Sequence, residues 1–139
     1  MRSLIYGYGD TGKSFERYLK DKKIDFDIFD SNIAEHNQNY NFKDFDQILC
    51  SPWVPKDIFE NIKSQNINTF TDVDIFFNED KSVKIGITGT NRKSTTAFHL
   101  HQLLNKYKSS NLVGNIGNTM LDYLSLIHIS EPTRLASIA

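Results

Sequence analysis

Leu4-Ile5-Tyr6-Gly7-Tyr8-Gly9-Asp10-Thr11-Gly12 is the stretch on which the fold turns. Three apolar residues run into glycines spaced Gly7-x-Gly9-x-x-Gly12. Phe15, Tyr18, Leu19 and Lys22 then recur at helical spacing, with charges between them. The pattern reads as strand, tight turn, helix. Glycine there permits the turn, lets backbone approach a phosphate, and lets helix and strand pack closely. The helix start adds free N–H groups and partial positive charge. Phe26-Asp27-Ile28-Phe29 reads as a second strand, and Asp30 ends it at about the spacing of a ribose-binding acid. Taken alone, this unit indicates a dinucleotide site.

Outward from this unit the alternation continues. Ser31 to Phe42 is polar, rich in Asn, and reads as a loop. Gln47-Ile48-Leu49-Cys50 is a short buried strand ended by Ser51-Pro52. Pro55 stands where a helix carrying Ile58, Phe59 and Ile62 can start. Thr69-Phe70 reads as a further strand, and Val73, Ile75, Phe76 and Phe77 as a short helix or packed connector. Asn78-Glu79-Asp80-Lys81 is a polar break and the expected domain boundary. Val83 to Thr88 is a strand, and Ala97, Leu100, Leu104 and Tyr107 mark another helix. Leu112-Val113 is a brief strand. Strands alternating with helices predict a parallel α/β sheet.

Composition sets the bounds. The chain has 139 residues, with 16 Lys and Arg against 17 Asp and Glu, a net charge of −1. That balance argues against nucleic-acid or membrane-surface binding driven by bulk charge. The single cysteine, Cys50, allows no disulfide framework and suits a reducing compartment. No apolar run approaches the ~20 residues of a membrane span, and Met1 leads at once into a strand pattern, so no signal peptide is expected. The expectation is a cytoplasmic monomer with no nucleic-acid or membrane partner.

A second turn, Thr88-Gly89-Thr90-Asn91-Arg92-Lys93-Ser94-Thr95-Thr96, also joins a strand to a helix. A lysine and hydroxyls at a helix start suit a nucleotide triphosphate: Lys93 reaches the outer phosphates, Ser94 ligates Mg²⁺, and backbone N–H groups cradle the chain of phosphates. The strict pattern G-x-x-x-x-G-K-[ST] fails twice, at Ile87 and at Arg92.

The segment resembles T-G-T-N-G-K-S-T-T, the ATP loop of the Mur ligases, which build the peptidoglycan precursor. That loop also lacks the first glycine, but it has glycine where this chain has Arg92. Arginine keeps the amide yet adds bulk and is poorly suited to positive φ. Gly114-Asn115-Ile116-Gly117 is similar to the family's G-N-I-G loop. Gly9-Asp10-Thr11-Gly12 resembles the G-x-T-G turn of its D-glutamate-adding branch. Ser51-Pro52 resembles the S-P-G of that branch, with Trp53 in place of its glycine, and Asp72-Val73-Asp74 sits where the branch has an acidic segment. The segments come in the family's order and span most of residues 1–123.

The resemblance implies a Rossmann-like parallel-sheet domain over residues 1–80, followed over 81–123 by the start of a P-loop-type ATPase domain. It implies a ligase that adds D-glutamate to UDP-N-acetylmuramoyl-L-alanine through an acyl phosphate, with ATP and Mg²⁺ as cofactors. Asp10, Thr11, Gly12, Asp30, Ser31, Ser51 and Asn115 would then hold the UDP substrate. Gly89, Thr90, Asn91, Arg92, Lys93, Ser94 and Thr95 would hold ATP, Lys93 being catalytic and Ser94 the metal ligand. The family's remaining catalytic groups and much of its amino-acid site lie beyond Tyr123, so this chain alone is expected to be inactive as a ligase. Residues 124–139 depart from every preceding pattern. From Leu124 to Arg134 they resemble the translation of a transposon-end adapter used in sequencing libraries, and they are expected to be a non-native tail. Two other readings stand beside the ligase: an NAD-binding regulatory module built on Gly7-x-Gly9-x-x-Gly12 with Asp30, and an inactive fragment. His99 and His101, two apart on a helix, face different ways and are not expected to pair on a metal.

Overall fold

The computed structural model describes residues 1–114, 119–127 and 135–138. The chain divides into two compact units, Met1–Phe76 and Phe77–Ala139.

The first unit is an α/β layer with a four-stranded parallel sheet. Strand β1 (Arg2–Tyr6) leads to helix α1 (Asp10–Asp21), then β2 (Asp25–Phe29), β3 (Gln47–Cys50), α2 (Lys56–Gln65) and β4 (Thr69–Phe70). The sheet order is β2-β1-β3-β4. Ile5 pairs with Ile28 on one side and with Leu49 on the other. Leu4, Ile5, Ile48, Leu49 and Cys50 are fully buried, as expected for parallel strands covered on both faces. Helix α1 adds Phe15 and Leu19, four apart on one face. Its first turn carries Asp10 and its last turn Lys20, charges that match the helix dipole. On the other side Leu4, Phe45, Ile48, Cys50 and Ile62 form a cluster, with Ile58 and Phe59 of α2 packed against it. This four-stranded parallel α/β sheet is consistent with the Rossmann-like domain that the resemblance implies.

The polar stretch read as a loop contains two short 3₁₀ turns, Ala34–His36 and Phe42–Asp44. Three residues are too few to show a period. The second is set by a side chain: Asn41 accepts from the Lys43 amide and donates to Asp44. Asn66, just past α2, ties that segment to the sheet. Its amide group donates to the carbonyl oxygens of Phe42 at 2.9 Å and Phe45 at 2.7 Å.

Helix α3 (Asp72–Glu79) takes up the residues read as a helix or connector, and the division between the units falls within it, ahead of the expected break after Asp80. The second unit contains β5 (Val83–Gly86), α4 (Lys93–Leu104), β6 (Ser110–Val113), α5 (Met120–Ile127) and β7 (Leu135–Ile138), with parallel sheet order β5-β7-β6. Residues 124–139 are the stretch expected to be a non-native tail. The structure uses part of them: Leu124 is 1% exposed, and β7 pairs with β5 and β6 on its two sides. The physical reason is the spare edges that β5 and β6 present, which a four-residue segment is long enough to fill.

Behind α4, Ser110 is held by a small polar knot. His101 Nδ1 lies 2.8 Å from its hydroxyl, and the Asn105 side-chain oxygen accepts from its amide at 2.7 Å. At the start of β5, Lys84 lies 3.5 Å from the buried Asp80 carboxylate and donates to the Asp80 carbonyl at 2.6 Å.

Candidate functional site

In the first unit, β1 connects to β2 on one side while β3 lies on the other. The chain direction across the sheet therefore reverses between β1 and β3, and open α/β sheets bind ligands beyond the carboxyl ends of such a strand pair. Tyr6 and Cys50, the last residues of β1 and β3, are register partners. Gly7 and Ser51 follow them directly. The Ser51 amide donates to the Tyr6 carbonyl at 2.9 Å, so the two turns leave the sheet side by side.

The glycines of the turn have different duties. Gly7 has φ +92°, and a Cβ on it would come within 2.9 Å of the Ser51 Cβ. Gly12 is buried in α1, where a Cβ would meet the Gly7 carbonyl oxygen at 2.3 Å. These two permit the turn and the close packing of helix on strand. Gly9 has nothing within 4 Å of its Cβ position. Its missing side chain leaves open space at the head of α1.

That space is a pocket of about 510 Å³. Its apolar surface comes from Tyr6, Phe29, Val54, Pro55 and Ile58, with Trp53 at the edge, and its polar groups are Asp30, Ser31, Asn32 and Ser51. Tyr6 and Phe29 stack with ring centroids 4.5 Å apart. Of the residues expected to hold the UDP substrate, the pocket brings together Asp30, Ser31 and Ser51. Asp10 is exposed and Thr11 half-buried on the first turn of α1, and Gly12 is inside. Asn115 lies outside the described residues.

Asp30 is more heavily engaged than its spacing suggests. One carboxylate oxygen accepts from the Tyr8 amide at 2.8 Å, the other from the Asn32 amide at 2.8 Å. The acid ties the glycine turn to the segment after β2. Sequence reasoning missed this, because the partners are main-chain groups. It also missed Asn32, whose only signal is its place just after the strand-end acid. The Tyr8 hydroxyl donates to Glu16, which also accepts from Lys20 at 2.6 Å. Lys20 first, and Tyr8 second, hold the Glu16 carboxyl below its usual range. The same bond pushes the Tyr8 phenol up.

In the second unit, the turn before α4 carries the other set of expected residues. Gly89, Thr90, Asn91, Arg92, Ser94 and Thr95 are exposed, and Lys93 is half-buried. The Lys93 ammonium folds back and donates to the Gly89 carbonyl oxygen. Arg92 is the residue before the helix, at φ 58° and ψ 17°, in the left-handed region. Glycine adopts that region freely and arginine does not. The first helical bond runs from the Thr96 amide to the Arg92 carbonyl at 3.0 Å. The amides of Lys93, Ser94 and Thr95 therefore precede the helical ladder and face outward for other acceptors.

These features suit a chain of phosphates: a cation over the loop, hydroxyls at the helix start, and unspent amides. No group of three or more His, Cys, Asp or Glu positioned for a metal occurs among the described residues. A magnesium ion here would rest on the Ser94 hydroxyl together with phosphate oxygens and water, a donor set that Mg²⁺ accepts.

Comparison with known proteins bears on both turns. The chain is 34% identical over 130 residues to the UDP-N-acetylmuramoylalanine–D-glutamate ligase of Rickettsia prowazekii, covering 81% of this chain and 29% of that protein. It is 29% identical over 140 residues to the ligase of the same name from Thermosipho africanus, covering 84% of this chain and 33% of that protein. The chain is a segment like the N-terminal part of a Mur ligase. Its similarity is to the N-terminal part of the D-glutamate ligases, and a shorter match, 38% over 77 residues, is to the ligase of that name from Lachnospira eligens. The chain spans about a third of the length of the Rickettsia and Thermosipho relatives. No family model matches it. Among its described residues, no helix is long and apolar enough to cross a membrane.

Proposed function

We propose that this chain is part of a cytoplasmic, ATP-dependent ligase that joins D-glutamate to UDP-N-acetylmuramoyl-L-alanine. The first unit takes the UDP end of the substrate, and the second begins a P-loop-type ATPase domain. The observation that carries the reading is the pocket beyond β1 and β3. Its polar side chains include Ser51, on a turn that carries part of the resemblance, with Asp30 and Ser31 on the same lining, and the relatives are named for a UDP-linked substrate.

In this reading Gly9 leaves room for the ligand backbone, and the first amides of α1 meet its diphosphate. Asp30 and Ser31 face the uridine, and Ser51 steadies the nucleotide from the β3 side. In the second unit, Lys93 leaves the Gly89 carbonyl and turns to the outer phosphates, while Ser94 holds Mg²⁺. ATP, when bound, supplies the phosphoryl group that activates the substrate carboxylate as an acyl phosphate. The chain's own groups position the reactants and neutralise charge. The D-glutamate contacts and the remaining catalytic groups belong to residues beyond this segment, so the chain alone releases no ADP in response to D-glutamate.

Asp30 also bears on the rival dinucleotide reading. Its two oxygens each accept one amide, from Tyr8 and Asn32, and keep lone pairs for a ribose or a base edge, so Asp30 fits both readings. Thermal-shift titration decides between the readings. UDP or UDP-N-acetylmuramoyl-L-alanine is expected to raise the melting temperature of the first unit, while NADH leaves it unchanged. Stabilisation by NADH and not by UDP would overturn the assignment.

A further inference from the structure

Trp53 is 89% exposed although it borders a largely apolar pocket. An indole left in water forgoes the burial that normally rewards a large aromatic side chain. Its backbone is nevertheless well anchored. Ser51 before it is buried, the Val54 amide closes the turn onto the Ser51 carbonyl at 3.0 Å, and α2 starts three residues later. The only non-glycine residues at positive φ among those described are Lys23 and Arg92, so Trp53 stands where the similar S-P-G motif has glycine without backbone strain. An anchored backbone thus carries a large, flat, exposed side chain on the lining of the pocket. The same pocket is lined by Asp30, Ser31 and Asn32 and by the stacked Tyr6–Phe29 pair.

We propose that Trp53 is a binding and specificity-determining residue of this pocket, its indole stacking on the planar base of the nucleotide bound there. The proposal rests on the UDP reading of the same site and adds to it a contact that a glycine cannot make. Stacking suits the geometry because it asks only for a face, and the ring edges of the base remain free for Asp30, Ser31 and Asn32. The indole closes on the ligand from solvent, so its burial accompanies binding and not folding.

Trp53 is the one tryptophan of the chain, so its fluorescence reports this contact directly. Titration with UDP is expected to quench and shift the emission, with the same midpoint as the UDP-induced rise in melting temperature. Trp53→Ala should weaken UDP binding roughly 5- to 160-fold, the range that stacking one base on one ring accounts for, and leave the unliganded melting temperature unchanged. Trp53→Phe should keep most of the affinity. UDP stabilisation without any change in emission, and with equal affinity in both variants, would overturn the proposal and leave the UDP reading standing. No UDP stabilisation of the wild-type chain would overturn both. Should the alanine variant melt low, the wild-type emission and the phenylalanine variant still decide.

Discussion

Replacing Arg92 by glycine should stabilise the second unit, and the gain can be worked from the backbone. Arg92 sits at φ 58°, ψ 17° with no side-chain capping bond, and it is exposed. Little packing is therefore lost with its side chain. A left-handed conformation costs a residue with a Cβ roughly 1–2 kcal/mol. Glycine removes that strain but loses more chain freedom on folding, about 0.5–1 kcal/mol. The difference favours Arg92→Gly by about 0.5–1 kcal/mol. In a unit of this size, that corresponds to a rise of roughly 2–8 °C in melting temperature. Urea unfolding followed by circular dichroism supplies the assay, with the midpoint moving up and the slope unchanged. Arg92→Ala is the control. It keeps a Cβ in the left-handed region and should bring no gain. The reasoning fails if alanine stabilises as much as glycine, or if the glycine variant unfolds earlier than the parent.

Other outcomes follow from the same geometry. Asn66→Ala strips the Phe42 and Phe45 carbonyls of their donors and should cost the first unit about 2–3 kcal/mol; a loss below about 0.5 kcal/mol in chemical denaturation would show that water replaces the amide. Cys50 is buried, and burial pushes its thiol up to about 12, so a disulfide reagent at pH 8 should label it only as fast as the first unit opens. Immediate labelling of the native chain would contradict the burial. Burial also raises the Asp72 carboxyl, with Asp74 adding to the effect against the pull of the Val73 amide. A raised carboxyl contributes stability below its unfolded value that is lost as pH rises through the folded one. Asp72→Asn should therefore melt above the parent at pH 7, with the gap closing below about pH 4; a variant less stable at pH 7 reverses the sign.

The strands and helices of the first unit were legible because each has a pattern longer than its turn. Phe15 and Leu19 mark one helix face, Ile48 to Cys50 a buried strand, and the glycines a connection whose steric need is plain in the 2.3 Å approach at Gly12. The 3₁₀ turns at Ala34–His36 and Phe42–Asp44 were hidden because three residues show no period. Strand β7 lies in the stretch set apart as an expected non-native tail. Its pairing depends on the open edges of β5 and β6, and no local pattern in Leu135–Ile138 announces that. At the candidate site, Asp30 and Ser51 were visible as strand-end residues. The double main-chain hold on Asp30 and the Tyr6–Phe29 floor were not, since both arise where separate turns meet. Arg92 is the reverse case: its misfit with a positive φ was readable from chemistry alone, and the backbone is at φ 58°.

The two amides held by Asp30 have a consequence for the entropy of recognition. A carboxylate that joins the glycine turn to the segment after β2 settles the ordering of both during folding. A ligand entering the pocket then meets a cradle already in place, and its affinity is not discounted by the freezing of loose chain. The same economy makes the cradle brittle. Losing that one side chain would release two segments together, so the pocket would soften as a whole and its on-rate and selectivity would decline in step.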